Sequence, residues 1–328
     1  MSGYNFKKNL LPSSADSSGA DVSGNFFGSA IYRTENRLFI GAKFERDSSN
    51  SNDDRKGAVH IYNLNNFGCW QNVSKIQPNN LVTNDKFGSN IFVDENDNHK
   101  LYISADGNDG KVYIYSLNSS NSYQLFQTID KPSNIATGQG FGKNVEILNN
   151  NLFVSCTGEN KVLVYKKNQY GHWETTFNSI AGESGDSFGY GLLSHGDKLY
   201  VGCPGNNKVK IFTKNSYGSF EKKGSITGDS GQNFGTSLTK DDKFIVIGAS
   251  SHDSNKGIVY FYKLNNFGAF KKKSHLKATT RTAEKFGSKI FVYEKELYVG
   301  GPLNDEASSG NSADGGENSG KIYIYEKN

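Results

Sequence analysis

The sequence predicts an all-β protein: a six-bladed β-propeller of four-stranded antiparallel blades, closed by its own N-terminal strand. Three observations predict it. Phe-Gly recurs at Phe27-Gly28, Phe87-Gly88, Phe141-Gly142, Phe188-Gly189, Phe234-Gly235 and Phe286-Gly287, 46 to 60 residues apart, and periods of this length mark a repeat architecture. Each copy is followed by the same succession of short apolar runs and polar turns. The last copy lacks its final run, and the first residues of the chain resemble the missing piece.

The first strand of each unit opens on Phe-Gly, continues through two mostly small or polar residues and reaches an aliphatic one. The second ends in small residues, as in Leu38-Phe-Ile-Gly-Ala42, Leu152-Phe-Val-Ser-Cys156 and Ile245-Val-Ile-Gly-Ala249. The third closes with an aromatic, as in Val112-Tyr-Ile-Tyr115, Val209-Lys-Ile-Phe212 and Ile322-Tyr-Ile-Tyr325. Apolar residues on both of its faces suit a sheet packed between two others. A turn such as Asn66-Phe67-Gly68 or Tyr217-Gly218 then leads to a fourth strand opening at Trp70, Tyr123, Trp173, Phe220 or Phe270. Four strands joined by hairpins make one blade. Tyr4-Asn-Phe6-Lys-Lys matches Phe270-Lys-Lys-Lys, so the N-terminal segment is expected to be the outer strand of the last blade, a closure that removes open sheet edges.

Composition agrees. The 328 residues include 22 Phe, 18 Tyr and 37 Gly against one Met, the balance of strands and turns rather than helices. One propeller domain is expected over 1–328, with 12–26, 43–56 and 302–319 as long loops within it, because regular blades resume on both sides. The net charge of +4 comes from interspersed signs, so no nucleic-acid-binding stripe is expected. No apolar run is long enough for membrane insertion. Cys69, Cys156 and Cys203 are odd in number and far apart, which favours a reducing compartment over a disulfide framework. The start of the chain does not read as a secretory signal, so an intracellular or virion location is expected if Met1 is native.

Phe-Gly, then a strand ending Gly-Ala, then Gly-Lys-Val-Tyr-Ile-Tyr resembles the FG-GAP repeat of integrin α-subunit propellers and their microbial relatives. The resemblance covers nearly the whole chain and implies the propeller fold. That family usually has seven blades, which stands as the alternative to six, and carries calcium loops of the form Asp-x-Asp-x-Asp/Asn-Gly between first and second strands. Here Asp94, Asn96 and Asn98 offer oxygens at positions one, three and five, but His99 replaces the turn glycine and Tyr102 stands where a later carboxylate is needed. The hairpin reads as a polar turn tip. No cofactor is expected, calcium at this hairpin being the one weak candidate.

No catalytic constellation is visible: no His-x-His, no Cys-x-x-Cys, no Gly-x-Ser-x-Gly, no phosphate loop. His60 sits at a third-strand packing position, and Cys156 and Cys203 align with Ala42, Ala105 and Ala249, where a small side chain is needed. What varies is loop length. The longest second-to-third-strand loops belong to blades one and six, neighbours after closure, and 12–25 opens on the same face. Asp16, Asp21, Asp47, Asp53, Asp54, Asp305, Glu306, Asp314 and Glu317 fall in this sector, which is expected to be a binding surface. The expected function is therefore non-catalytic: an interaction or structural scaffold, part of a larger assembly or virus particle, with a protein partner. The alternatives are a lectin, with a carbohydrate partner, and a polysaccharide-acting enzyme. Oligomeric state does not follow from the residues.

Overall fold

In a computed structural model the described residues are 3–10, 25–46, 54–264, 269–278, 283–303 and 320–328, with the side chain of Phe177 excepted. They form six four-stranded antiparallel sheets. Blade one comprises Phe27–Arg33, Arg37–Ala42, Ala58–Leu64 and Trp70–Ile76. Blade two comprises Phe87–Asp94, Lys100–Ala105, Lys111–Leu117 and Tyr123–Asp130, and blade three Phe141–Leu148, Asn151–Cys156, Lys161–Lys167 and Trp173–Ala181. Blade four is Leu192–His195, Lys198–Cys203, Lys208–Lys214 and Phe220–Thr227; blade five is Phe234–Lys240, Ile245–Ala249, Ile258–Leu264 and Phe270–Lys277. Blade six takes Lys289–Tyr293, Glu296–Gly301 and Lys321–Lys327 from the end of the chain and Tyr4–Leu10 from its start. Six blades are present, and the N-terminal strand closes the ring in the register Tyr4↔Lys327 to Leu10↔Ile322.

The turns between third and fourth strands explain themselves from sequence. Asn65, Asn118, Asn168 and Asn215 each accept, on the side-chain oxygen, the backbone N–H groups two and four residues ahead, at 2.9–3.0 Å. Such Asx turns are what asparagine does best in a tight reversal.

The Phe-Gly unit is a packing device with two parts. Phe27, Phe87, Phe141 and Phe234 pair with the small residues Ala42, Ala105, Cys156 and Ala249, and the register shifts immediately afterwards. In blades four and six the Phe-Gly precedes the regular strand instead of opening it. The glycines sit at φ +82 to +94, a conformation open to glycine at little cost. Their carbonyls face the preceding blade: a Cβ on Gly41 would lie 2.0 Å from the oxygen of Gly88, and one on Gly202 would lie 1.9 Å from that of Gly235.

Hydrophobic side chains collect in the wedges between blades. One cluster joins Phe39 and Ile61 of blade one to Phe87 and Tyr113 of blade two, and another joins Phe27 and Ile31 of blade one to Tyr298 and Ile322 of blade six. The other blade junctions are filled in the same way. Burying a phenylalanine stabilises by roughly 1.5–3 kcal/mol, so the recurring Phe fixes blade against blade. No helix among the described residues is long and apolar enough to cross a membrane.

Candidate functional site: the axial channel

The first strand of each blade is innermost, and first strands of successive blades lie against one another around the axis. Counting from each Phe of Phe-Gly gives the channel its layers. Two residues on stand Ser29, Ser89, Lys143, Tyr190, Thr236 and Ser288, all lining a cavity of about 370 Å3 on the face that carries the second-to-third-strand loops. Five residues on stand Tyr32, Phe92, Glu146, Leu193, Thr239 and Phe291, all lining a cavity of about 520 Å3 on the face of the first-to-second-strand hairpins. The residues four on are aliphatic and point into the wedges.

Asn144 and Lys289 belong to both cavities and form the waist between them. They occupy the same register position in blades three and six, as does Asn90 in blade two. The Asn144 side-chain oxygen accepts from Lys289 Nζ at 3.0 Å and from the Asn90 amide. Its amide donates to the carbonyls of Gly189, at 3.2 Å, and Tyr190. A buried asparagine with its partners supplied in this way is held in one orientation.

The hairpin-side chamber is divided by chemistry. Blades six, one and two contribute Phe291, Tyr32 and Phe92, with ring centroids 4.5 Å apart for Tyr32–Phe291 and 5.7 Å for Tyr32–Phe92. Tyr32 donates its hydroxyl to the Val93 carbonyl at 3.0 Å, fixing the centre of this aromatic wall. Blades three to five contribute Glu146, Ser194, Thr239 and Lys240. Glu146 is the one carboxylate in its layer. Burial pushes its carboxyl up to about 7, against the opposing hydrogen bonds from Ser194 and the charges of Lys289 and Lys240. Lys289 is pushed down to about 8, by burial first and then by Lys143, with Glu146 and Asp106 acting in the other direction. A carboxyl and an ammonium that both change charge near neutrality are equipped for proton transfer and oxyanion stabilisation.

The loop-side chamber is cationic. Lys43, Lys143, Lys285 and Lys289 line it. Lys143 pairs with Asp106 at 2.8 Å. Burial pushes Lys43 down to about 8, with Lys143, Lys86 and Lys285 adding to the effect and Asp106 opposing it.

Of the nine sector acids, Asp16, Asp21, Asp47, Asp53, Asp305, Glu306, Asp314 and Glu317 fall outside the described residues. Asp54 is held by Lys56 at 2.8 Å and by the Thr83 hydroxyl. Asp94 caps its own hairpin, accepting from the Asn96 backbone at 3.1 Å, while Asn98 donates to the Leu117 carbonyl at 3.2 Å. Asp94 and Asn96 also reach the rim of the hairpin-side chamber. No group of three or more His, Cys, Asp and Glu suited to a metal was found among the described residues. His60 is engaged by Glu45 and Asn72, and Cys156 and Cys203 are buried as small packing residues.

Neither a known family model nor a curated protein sequence matches this chain. Solved structures do. The periplasmic gluconolactonase of Pseudomonas aeruginosa superposes with a TM-score of 0.56 at 13% identity, over 92% of this chain and 85% of that one. A candidate 6-phosphogluconolactonase of Bacteroides fragilis gives 0.54 at 12%, over 83% and 76%. A protein of unknown function from Desulfotomaculum acetoxidans gives 0.58 at 11%, over 90% and 87%. At such identity the likeness shows the fold. The expectation of a non-catalytic scaffold is nevertheless corrected here. Similar propellers are described as lactonases, and the channel brings together the acid–base groups that no local motif announced, because Glu146 and Lys289 come from blades on different sides of the ring.

Proposed function

We propose that this propeller is a hydrolase acting on the lactone of a sugar acid, with its reaction centre in the hairpin-side chamber. The observation that carries the proposal is Glu146, a carboxyl held at about 7 within electrostatic reach of the Lys289 ammonium. The likeness to a gluconolactonase supports the substrate class. The aromatic wall of Phe92, Tyr32 and Phe291 supports it independently, since a sugar-derived ring presents an apolar face of C–H groups that packs on aromatic rings.

In the proposed reaction the ionised Glu146 takes a proton from water as the water oxygen bonds to the lactone carbonyl carbon. Lys289 stabilises the oxyanion that develops on the carbonyl oxygen. Collapse of the tetrahedral intermediate breaks the ring C–O bond, and Glu146 returns its proton to the leaving alkoxide. The product is the open hydroxy acid, one water heavier, and the enzyme is unchanged.

The test is acid release from glucono-δ-lactone, followed by pH-stat above the spontaneous rate, with the full chain and with Glu146→Gln. Saturable acceleration that the variant loses supports the proposal. Hydrolysis no faster than the spontaneous rate, or equally fast with the variant, overturns it.

A further inference from the structure

The loop-side chamber is a second site with chemistry of its own, and the waist of Asn90, Asn144 and Lys289 separates it from Glu146. We propose that it binds a small phosphate monoester. This inference does not rest on the hydrolase reading.

Four lysines line a cavity of about 370 Å3, and among the described residues Asp106 is the carboxylate that pairs with them, through Lys143. Lys289 spends one donor on Asn144. Lys43 rests against the rings of Phe26 and Phe44, each about 5.5 Å from its ammonium. A cation–π contact orients an ammonium without neutralising it. Among the described residues the chamber therefore holds an excess of about three positive charges, where like charges at close range destabilise one another and a partner of opposite sign is strongly favoured.

Two further features point to an anion rather than a neutral sugar. Four of the hydroxyls lining the chamber are already donating to backbone: Ser29 to Gly88, Ser89 to Ser104, Thr236 to Asn233 and Ser288 to Lys285. The four ammonium groups are the charged donors that line the cavity among the described residues. Lys285, moreover, is held at φ +55, and Lys86, at the same position before its Phe-Gly, at +59. Asparagine or glycine fits that conformation more cheaply, by about 1 kcal/mol, and asparagine stands there in blade five. Lys285, which lines the chamber, and Lys86, whose charge acts on Lys43, are kept against this preference and add to the positive field of the site. A monocarboxylate offsets one of the three charges, whereas a phosphate monoester carries about −1.5 to −2 at neutral pH and three acceptor oxygens.

The test is calorimetric titration of the full chain with inorganic phosphate and with glucose 6-phosphate, at constant ionic strength set with chloride, beside glucose as the neutral control. Both phosphates should bind saturably and glucose should not, and Lys43→Met/Lys285→Met should weaken binding at least tenfold. The melting temperature of that variant in phosphate-free buffer reports its folding, and removing mutually repelling charges should raise it. Lys285→Gln alone should weaken binding about threefold or more, and serves if the double variant does not fold. Heats indistinguishable from the chloride blank, or affinity unchanged in a folded variant, overturn the proposal. Binding of inorganic phosphate without any gain from the sugar would also count against a monoester ligand.

Discussion

Ser194 grips one oxygen of Glu146 across the junction of blades three and four, its hydroxyl donating at 2.7 Å and its backbone N–H at 3.1 Å to the same Oε1. Both bonds favour the carboxylate, and burial outweighs them, so the group titrates at about 7. Removing the hydroxyl should move it further from the ordinary value. For Ser194→Ala, loss of a hydrogen bond to a charged group is worth about 1.5 kcal/mol, or roughly one pH unit. The wild-type rate of lactone hydrolysis should rise with pH through about 7, as Glu146 ionises, and fall above about 8, as Lys289 loses its proton. In the variant the acidic limb should move up by about one unit while the alkaline limb stays. An acidic limb unmoved in Ser194→Ala assigns the titration to another group.

Glu146 should also weaken the fold that holds it. Its carboxyl lies above its ordinary value of 4.5 in the folded chain, so the folded state binds the proton more tightly than the unfolded one. Stability is then fully present below about 4.5, falls as pH rises toward about 7, and stays lower above it. Glu146→Gln should raise the melting temperature at pH 8 relative to wild type, the stability gained being bounded at about 3–4 kcal/mol, and change it little at pH 4. The same substitution should cut hydrolysis by about 100-fold or more. Stability gained alongside activity lost is the pattern of a functional group kept against the interest of packing. A variant less stable than wild type at pH 8 would show that the carboxylate is instead a structural partner.

Backbone contact between blades gives a sharper structural test. A Cβ at Gly202 would stand 1.9 Å from the Gly235 carbonyl oxygen of the next blade, whereas one at Gly224, on the outer strand of the same blade, would meet nothing within 4 Å. Gly202→Ala must push blade four from blade five or distort the Phe-Gly bulge, at a cost of about 3 kcal/mol or more. Gly224→Ala should be neutral or stabilise by up to about 1 kcal/mol, since its φ is not in the left-handed region. Urea denaturation of the pair distinguishes close approach from a general intolerance of blade four to substitution.

That bulge marks what could be seen in the sequence. The strands, the six-fold repetition and the N-terminal closure were legible because each rests on a local pattern: short apolar runs, turns such as Asn66-Phe67-Gly68, and a recurring Phe-Gly followed by a second strand ending in a small residue such as Ala42 or Cys156. The channel was not, because its residues come one from each blade and share no local motif. A signal was nonetheless present. With the repeats in Phe-Gly register, the fifth position runs Tyr32, Phe92, Glu146, Leu193, Thr239, Phe291, and a lone carboxylate in such a layer marks an odd residue on the axis. The three-position layer likewise puts Asn90, Asn144 and Lys289 together. Loop length drew attention to the rim instead, and all but one of the acids chosen there lie outside the described residues.

Closure by the N-terminal strand yields the last prediction. Tyr4–Leu10 covers the edge of Lys321–Lys327: Lys7 reaches Glu296 of the same blade at 2.7 Å, and the Tyr4 hydroxyl ties the strand to the fifth blade through Asp241 at 3.1 Å. Glu296 also receives Arg33 of blade one and the Tyr298 hydroxyl, at 2.6 Å for the latter, so one carboxylate stands where first and last blades meet. Deleting residues 1–10 uncovers a full strand edge bearing Tyr323 and Tyr325 beside it, an arrangement that invites pairing between chains. The truncated chain should melt at a lower temperature and associate in a concentration-dependent way by light scattering. A synthetic peptide of residues 1–12 supplied in excess should restore the melting temperature and suppress association, since it regains the same backbone ladder. Unchanged melting without the strand would mean that the wedges alone hold the ring shut, and that closure protects the edge without contributing to stability.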